Sequence, residues 1–299
     1  MNPGSRRRDA PQVDIVVLNW NGWHDTLACL RSLERLTYPR CRVIVVDNGS
    51  TDGSVDRIRG SFPDVAIIET GTNLGFAGGN NVAIRRSLAK GVPFVWLLNN
   101  DTVVSPDALR AMVEEMLRAE DVGIVGSVNR AMNDPVTVEA WGGGTVNRYL
   151  GTTRRLTRAG EGEPAYIAGT SMLVRREVFE DVGLLDEGFF LYLEDVDFCM
   201  RATARGWRLA VAGDAAVLHK GGATANGGGS RRSLLADRMH ARSSGFFVAK
   251  HAGPWVLPAA AVRLTGMVVR RVLRGQVHQL PAAIRGFVQG LANGLRRSP

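Results

Sequence analysis

The stretch Arg42-Val-Ile-Val-Val-Asp-Asn-Gly-Ser-Thr-Asp-Gly53 joins an apolar run to a polar turn, and the first half of the chain uses this arrangement more than once. Val13 to Leu18 and Pro93 to Leu98 are similar apolar runs, and each is followed by an asparagine. Between them, Thr26 to Leu36 carries leucines at helical spacing. Strands that alternate with helices need crossover connections, so the sequence predicts an α/β fold with a mainly parallel central sheet and flanking helices.

The 299 residues are 45% apolar and 22% charged, which is ordinary for a chain that buries a core and excludes a disordered, fibrous or coiled-coil protein. The three cysteines lack the CxxC spacing of a zinc ribbon. We expect a polar tail over 1–12, an α/β domain over 13–230 with halves 13–121 and 122–230, and a basic, amphipathic helical region over 231–299. Residues 1–12 lack the apolar run of a signal peptide, which predicts a cytoplasmic location.

The positive charge is concentrated at one end of the chain. The formal net charge is +8, but residues 231–299 carry twelve Lys and Arg against one acid, while the first 230 residues carry 25 basic and 28 acidic side chains. A nucleic-acid-binding body would interleave basic and aromatic residues, and this body is slightly acidic. We therefore expect no nucleic-acid partner.

Polar clusters follow three of the apolar runs: Asn19-Trp-Asn-Gly22, Asp47 to Asp52, and Asn99-Asn-Asp101. Each alone is also typical of a turn with a helix cap. Because ligands bind at the carboxyl ends of parallel strands, three clusters at one sheet edge favour a binding site. The carboxylate and amide oxygens suit Mg²⁺ or Mn²⁺.

A glycine-rich segment, Gly71 to Asn81, precedes a predicted helix and is a plausible phosphate cradle, although it lacks the Lys-Ser/Thr ending of a P-loop. The run Gly142-Gly-Gly144 predicts a loop.

Three acids open a predicted helix at Glu194-Asp-Val-Asp197, directly after the aromatic stretch Phe189 to Leu193. The helix dipole alone would explain acids in a first turn. Alternatively, Asp195 beside other acids and apolar surface has a raised pKa and acts as a base. His219 ends a later apolar run, where a histidine serves packing, capping or ligation.

Seven short segments of the sequence, taken together and in order, resemble motifs of the inverting family 2 glycosyltransferases. These enzymes have a GT-A (Rossmann-like) fold, and the resemblance is strongest to the bacterial rhamnosyltransferase-like branch. The segments are Val17 to Gly22, Val45 to Gly53, Asn73 to Asn80, Leu97 to Asp101, Ala168 to Arg175, Phe189 to Arg201, and His219 to Gly222. The resemblance spans about Val13 to Thr224. It implies a nucleotide-binding half before residue 122 and an acceptor half after it.

The resemblance also implies roles for individual residues. Asp195 matches the catalytic base, and Asp101 and His219 match metal ligands. Asn99 stands where many members have the first Asp of a D-x-D motif; it keeps an acceptor oxygen but not the charge, so Asp101 is expected to hold the metal. The implied nucleotide-binding residues are Asn19, Asn21, Asp47, Asn73, Gly75, Asn99 and Asn100. The implied acceptor-binding residues are Trp141, Gly169, Thr170 and Glu194.

The reaction implied is metal-dependent transfer of a sugar, with rhamnose favoured, from a dTDP- or UDP-linked donor with inversion. The acceptor would be a hydroxyl of a glycan or a polyprenyl-diphosphate-linked sugar in cell-wall or polysaccharide biosynthesis. The rival class of sugar-phosphate nucleotidyltransferases usually has a basic glycine-rich loop after the first strand, and Asn19 to Gly22 carries no cation.

The C-terminal region predicts a basic amphipathic helix, because Arg263, Arg270 and Arg274 share one helical face beside Trp255 and several leucines and valines. Its longest uncharged run, Ala252 to Val262, is too short to span a membrane. Two interpretations remain: an anionic membrane surface as partner, or packing on the body or in a homodimer. Because family acceptors are often lipid-linked, the resemblance favours a peripheral position on the inner face of the cell membrane.

Overall fold

The computed structural model describes residues 10–221 and 234–297, and in these ranges the chain forms an α/β body with helices at its C-terminal end. The strands are β1 Val13–Asn19, β2 Cys41–Asp47, β3 Ala66–Glu69, β4 Phe94–Asn99, β5 Thr102–Val104, β6 Val122–Ala131, β7 Asp134–Trp141, β8 Gly143–Asn147, β9 Thr152–Arg155, β10 Tyr166–Ile167, β11 Ser171–Arg175 and β12 Arg208–His219. The helices are α1 Trp23–Leu33, α2 Ser54–Ser61, α3 Gly75–Ala89, α4 Ala108–Met116, α5 Arg176–Val182, α6 Glu194–Ala204, α7 Leu234–His251, α8 Val256–Leu273 and α9 Leu280–Leu295. The predicted domain boundary at 230 and most of the tail 1–12 lie outside the described residues.

The main sheet has the strand order β3-β2-β1-β4-β11-β6-β12-β5, with β7 paired to β6. Its first four strands are parallel, which confirms the alternating pattern read from the first half of the chain. β11 then runs antiparallel to both β4 and β6, whereas β6 and β12 are parallel. β5, which also belongs to the predicted nucleotide-binding half, pairs antiparallel with β12 at the far edge. The sheet is therefore parallel from β3 to β4 and mixed beyond β4. As a result, the amino end of β11 lies at the same edge as the carboxyl ends of β1, β2 and β4.

The strands are apolar on both sides because each face of the sheet is covered by helices. One cluster joins Val13, Ile15 and Val17 to apolar residues of α1, α2 and α4. The other joins Val16 and Ile44 to residues of α3, α5, α6 and α7. These two layers fix the polar edge of the sheet relative to α6 and α7.

A small antiparallel sheet, ordered β10-β8-β9, crosses one end of the body. Gly143 and Gly144 lie within β8, so the prediction of a loop over these two residues is wrong. A side chain at Gly143 would collide with the carbonyl of Tyr166, and one at Gly144 with the carbonyl of Arg154. The glycines here permit close approach of neighbouring strands rather than a turn.

Helix α7, the first helix of the C-terminal region, packs against the α/β body. Phe246 meets Phe189 edge to face, with ring centroids 4.7 Å apart, and Phe247 is 0% exposed. α9 runs closely along α7. The two backbones are so near that a side chain at Gly286 or Gly290 would collide with the backbone of α7. The packing interpretation thus applies to α7 and α9.

Helix α8 keeps both apolar and basic side chains on its surface. Trp255, which precedes it, and Leu257 and Leu273 are 61%, 71% and 81% exposed. Arg270 and Arg274 are exposed, whereas Arg263 is half-buried and donates to Oγ of Ser244 at 3.0 Å. None of the helices in the described ranges combines the length and apolar character that a membrane crossing requires.

Candidate active site

A cleft of about 1010 Å³ opens at the polar edge of the main sheet, between the two halves of the body and α7. Most of the residues singled out in the sequence line it: Asn73, Gly75, Asn99, Asn100, Asp101, Gly169, Thr170, Glu194, Asp195 and His219. Asn19, Asn21, Asp47 and Trp141 are not part of this lining. The fold therefore brings together ten positions that are far apart in the chain.

The buried side chain of Asn19 holds the turn after β2 in place through hydrogen bonds to Asp47 and Ser50. Its side chain is 0% exposed, and its Nδ2 donates to Oδ1 of Asp47 at 2.8 Å and to Oγ of Ser50 at 3.1 Å. Its own Oδ1 accepts from the hydroxyl of Thr26 at 2.8 Å. The polar atoms of its side chain are thus engaged inside the protein, and the contact with a nucleotide expected of Asn19 stays a prediction. Asn19 orients Asp47.

Asp47 and Asn21 hold the same turn from two sides. Asp47 is 3% exposed, and its Oδ2 accepts the backbone N–H of Ser50 at 2.9 Å. Asn21 is exposed, adopts φ 50°, and accepts the N–H of Thr51 at 2.8 Å. In this arrangement both side chains shape the turn beside the cleft.

Asn48, which lies within the segment Val45 to Gly53 but was assigned no role there, ties this turn to the glycine-rich segment. Its Nδ2 donates to Oδ1 of Asn73 at 3.1 Å and to the carbonyl of Gly75 at 3.0 Å. Its Oδ1 accepts the N–H of Leu74 at 3.0 Å. Gly75 has φ 76°, and a Cβ there would collide with Phe190. The amino end of α3 is thereby held at the cleft, where a helix favours negative charge.

Asn99 and Asn100 lie where β4 ends. The backbone N–H of Asn99 donates to the carbonyl of Thr170 at 3.0 Å, which joins β4 to the amino end of β11. Nδ2 of Asn100 donates to the hydroxyl of Thr26 at 3.0 Å, and the residue is 5% exposed. Both line the cleft, and they fix the position of the next residue, Asp101.

Asp101 and His219 meet across two strands. Oδ1 of Asp101 lies 3.5 Å from Nε2 of His219, and Nδ1 of His219 lies 2.9 Å from Oε2 of Glu139. Glu139 also lines the cleft, but nothing in its sequence context marked it. Because the Nδ1 of His219 is hydrogen-bonded to Glu139, its other ring nitrogen, Nε2, faces Asp101. Within the described residues, no group of three or more His, Cys, Asp or Glu side chains could hold a metal ion, so this pair offers two ligands.

The charges of this trio are coupled. Burial alone would lower the pKa of His219, but hydrogen bonds to Asp101 and Glu139 outweigh it and raise that pKa to about 9. The hydrogen bond to His219 in turn lowers the pKa of Glu139. The imidazole therefore carries a proton beside the two carboxylates, and a cation bound there would take the place of that proton.

Asp195 opens α6 with its carboxylate facing the cleft. Oδ2 accepts the backbone N–H of Gly169 at 2.9 Å, and Oδ1 accepts that of Val196 at 2.8 Å. The two residues before the helix, Tyr192 and Leu193, have left-handed φ values of 73° and 69°. Such a backbone is costly for residues with side chains, so the surrounding packing must impose it.

The pKa values of the first two acids of α6 are raised. Burial raises the pKa of Asp195, although hydrogen bonds from Gly169 and Val196 oppose the rise. Burial, and then the charge of Asp195, raises the pKa of Glu194 well above its ordinary value. Oε2 of Glu194 is buried and has no hydrogen-bond partner among the described residues. Of the two carboxyl groups, Asp195 is therefore the more readily ionised, and Glu194 the more readily protonated.

Asp197, the third acid, faces away from the cleft and has a structural partner set. It is 0% exposed, and its carboxylate contacts Arg201 at 2.9 Å, Lys250 at 2.7 Å and His251 at 2.8 Å. Burial opposes ionisation, but these groups, led by His251, lower its pKa to about 2. Asp197 thus connects α6 to α7.

Trp141 is not part of the cleft lining, and its contact with an acceptor stays a prediction. Its backbone N–H donates to the carbonyl of Leu156 at 2.7 Å, and its ring lies beside Gly213. The small sheet contributes Thr153, Arg155 and Tyr166 to the lining of the cleft. These residues showed no motif, because only strand pairing brings them to Asp195.

The wall opposite the sheet comes from α7, which contributes both apolar and basic side chains. Leu235, Met239, Arg238 and Arg242 line the cleft there, together with Gln289 of α9. The sequence marked this segment only as part of a basic region. Its contribution to the cleft follows from the packing of α7 described above.

Comparisons with known proteins agree with this geometry. A sequence model described as Glycosyl transferase family 2 matches residues 14–183. The chain is 30% identical to the N-acetylglucosaminyl-diphospho-decaprenol L-rhamnosyltransferase of Mycobacterium tuberculosis, over 90% of this chain and 89% of that protein. It is 25% identical to the dTDP-rhamnosyl transferase RfbF of Shigella flexneri, over 62% of each chain. A mannosyltransferase of Pyrobaculum calidifontis, solved with GDP-Man and Mn²⁺, has the same fold, with a TM-score of 0.59 and 18% identity over 96% of this chain and 89% of that one.

Proposed function

The chain belongs to glycosyl transferase family 2, and from this membership and the cleft geometry we propose that it transfers a hexose, rhamnose being favoured, from a dTDP- or UDP-linked donor to a hydroxyl of a lipid-linked or glycan acceptor. Two relatives are named as rhamnosyltransferases, one for a diphospho-decaprenol acceptor and one for a dTDP-linked donor. Such a reaction belongs to cell-wall or polysaccharide biosynthesis.

The base in this proposal is Asp195. An acceptor hydroxyl is a poor nucleophile until its proton is removed, and a positioned carboxylate contributes about 10²- to 10⁴-fold to the rate. Both oxygens of Asp195 already accept one backbone N–H, so the carboxylate is held still with lone pairs to spare. Glu194, Gly169 and Thr170 line the cleft beside it and would contact the acceptor.

Asp101 and His219 fit a divalent cation, Mg²⁺ or Mn²⁺. One carboxylate and one imidazole face each other in the cleft, and Glu139 orients the imidazole from the far side, as carboxylates do for metal-bound histidines. Two protein ligands suffice when phosphate oxygens complete the shell. A cation held by these two residues would offset the negative charge that develops on the departing nucleoside diphosphate.

The donor nucleotide would lie along the edge formed by β1, β2 and β4. Asn73 and Gly75 line the cleft at the amino end of α3, and Asn99 and Asn100 are close to Asp101. The N–H groups of Leu74, Gly75 and Phe76 already donate within the protein, so α3 would favour phosphate through its dipole. The turn that carries Asp47 would border the nucleoside. Inversion follows if the activated hydroxyl attacks the anomeric carbon in a single displacement, for which one base is enough.

We also propose that α8 rests on an anionic membrane surface. Its exposed apolar side chains lie next to exposed Arg270 and Arg274, which is typical of interfacial helices. This would keep the protein on the inner face of the cell membrane, beside a lipid-linked acceptor. A homodimer through α8 is the alternative occupant of the same surface.

One observation carries the proposal: Asp195 shares a single cleft with the Asp101–His219 pair. The test is a screen of dTDP- and UDP-linked sugars with Mn²⁺ or Mg²⁺, with mass detection of released nucleoside diphosphate, with and without a synthetic prenyl-diphosphate-linked sugar. We expect release from one donor to be accelerated by the acceptor and stopped by a chelator. Failure of every donor to react would contradict the proposal.

A further inference from the structure

Two arginines of α7 line the same cleft as Asp195 without a carboxylate partner among the described residues. Arg238 and Arg242 are one helical turn apart, so their side chains lie on the same face of α7. The side chain of Arg238 donates a 3.4 Å hydrogen bond to neutral Gln289. Two other arginines near this wall do have acids: Arg271 pairs with Asp237 at 2.6 Å, and Arg297 lies 3.6 Å from Asp186.

The positive charge is concentrated here. Burial lowers the pKa of Arg242, and the neighbouring charges of Arg297 and Arg238 lower it further. Like charges gathered at a partly buried wall are unfavourable unless a ligand supplies negative charge. Arg242 also borders a second, smaller cavity of about 220 Å³ that is lined by Arg296 and Arg297.

Acidic side chains line other parts of the cleft. They are Asp101, Glu139, Glu194 and Asp195, and the donor diphosphate in the proposed function belongs there with a divalent cation. An anion at the α7 wall would therefore be a second one, distinct from the donor diphosphate. Two guanidinium groups side by side provide several N–H donors for charge-assisted, bidentate bonds to phosphate.

The surface that continues outward from these arginines is apolar. Leu235 and Met239 of the same helix also line the cleft, and Leu234 and Leu235 are more than half exposed. The ion pair of Arg271 with Asp237 fixes the end of α8 beside the start of α7. The exposed side chain of Leu273 is carried on that end of α8.

We propose that Arg238 and Arg242 form a subsite for the diphosphate of a lipid-linked acceptor, with the lipid chain leaving over Leu235 and the end of α8. The inference rests on the proposed function, because the acceptor sugar would lie between Asp195 and the two arginines. In this arrangement the α7 wall holds the acceptor by its diphosphate while the base reaches its hydroxyl.

The test uses the full-length protein with Mn²⁺ and excess dTDP or UDP, so that the donor site is filled. Calorimetry compares binding of farnesyl diphosphate with binding of farnesol. We expect the wild type to prefer the diphosphate by about 100-fold, and each arginine removed to cost about tenfold, as for a charge-assisted bond. The Arg238→Ala/Arg242→Ala variant should bind both compounds equally.

The matched control is Arg31→Ala/Arg35→Ala, which removes two exposed arginines outside the cleft and should retain the preference. Arg238→Glu, a single exposed change, guards against misfolding of the double variant, and thermal melting checks both. An unchanged preference in the double variant and in Arg238→Glu, or no preference in the wild type, overturns the subsite. Release of nucleoside diphosphate from donor by the wild type is measured separately and tests the proposed function alone.

Discussion

The backbone N–H of Gly169 donates a hydrogen bond of 2.9 Å to Oδ2 of Asp195. Gly169 immediately precedes Thr170, whose carbonyl accepts from Asn99 at the end of β4. The proposed base is therefore linked through two hydrogen bonds to the strand that also delivers Asp101. A displacement of β11 would move the base and the cation ligand together, which keeps the spacing between them.

Replacement of Asp195 by asparagine tests the base. Asp195→Asn keeps the shape and can still accept the N–H of Gly169, but its amide cannot take a proton from the acceptor. We expect transfer to fall by about 10³-fold, while affinity for the nucleotide stays within a few-fold. Steady-state kinetics and nucleotide titration measure the two effects. Turnover within tenfold of wild type would show that another group removes the proton.

The acid side of the pH profile should report the same carboxylate. Burial raises the pKa of Asp195 above the ordinary 3.8, and the base works only when ionised. Activity should therefore be present above the raised pKa and be lost as pH falls through it. The measurement is kcat/KM against pH, with protein stability checked at each point. An acid limb at or below 3.8 would argue against Asp195.

The two proposed ligands of the divalent cation, Asp101 and His219, should contribute unequally to its binding. Hard divalent ions prefer carboxylate oxygen, so Asp101→Ala should weaken metal-dependent binding of nucleotide more than His219→Ala does. Calorimetry of dTDP or UDP with and without Mn²⁺ measures this. Asp64→Ala, an exposed carboxylate elsewhere, serves as control. Wild-type transfer that a chelator leaves untouched would remove the metal from the mechanism.

Asp197 should matter for stability rather than for chemistry. Its pKa is lowered to about 2, so its contribution to folding is complete above the unfolded value near 3.8 and is lost as pH falls through 2. Asp197→Ala removes the buried carboxylate that Arg201, Lys250 and His251 share, leaving the partly buried Arg201 without its acid, and should cost about 3 kcal/mol in the free energy of unfolding. The exposed pair Asp121–Arg208 provides a control, where Asp121→Ala should cost about 1 kcal/mol or less. Equal denaturation curves for the two variants would contradict this role.

Charge reversal on α8 tests contact with a membrane. Arg270→Glu/Arg274→Glu should release the protein from anionic vesicles, because each arginine near such a surface contributes about 1 kcal/mol. High salt should release the wild type only in part, because salt screens the arginines but does not weaken the apolar contacts of the exposed Trp255 and Leu273 with lipid. Vesicle sedimentation measures both, and Arg31→Glu/Arg35→Glu is the control. A dimer that dissociates on charge reversal, without vesicle binding, would favour the alternative.

The sequence was most informative where chemistry and local pattern coincide. The apolar runs before Asn19 and Asn99 are strands, and the acids at Glu194 begin a helix, as predicted. It was least informative about which way a polar side chain points: Asn19 and Asp197 have the residue types of a site, yet each is 0% exposed.

Residues whose position depends on long-range pairing could not be found in the sequence. Glu139 reaches His219 because β7 pairs with β6, which also pairs with β12. Arg155 and Tyr166 reach the cleft through the small sheet. Their sequence surroundings carry no motif, and contacts of this kind are properties of the assembled sheet.

Gly286 and Gly290 bring the backbone of α9 against that of α7, next to the carbonyls of Arg238 and Arg242. Interiors packed this tightly transmit a displacement instead of absorbing it. A methyl group at position 290 would push α7, with both arginines, as one body relative to Asp195. The gap between base and arginines is therefore set by a contact on the far side of the helix. Related chains could adjust the size of sugar they accommodate by exchanging small residues there, leaving every residue of the cleft unaltered.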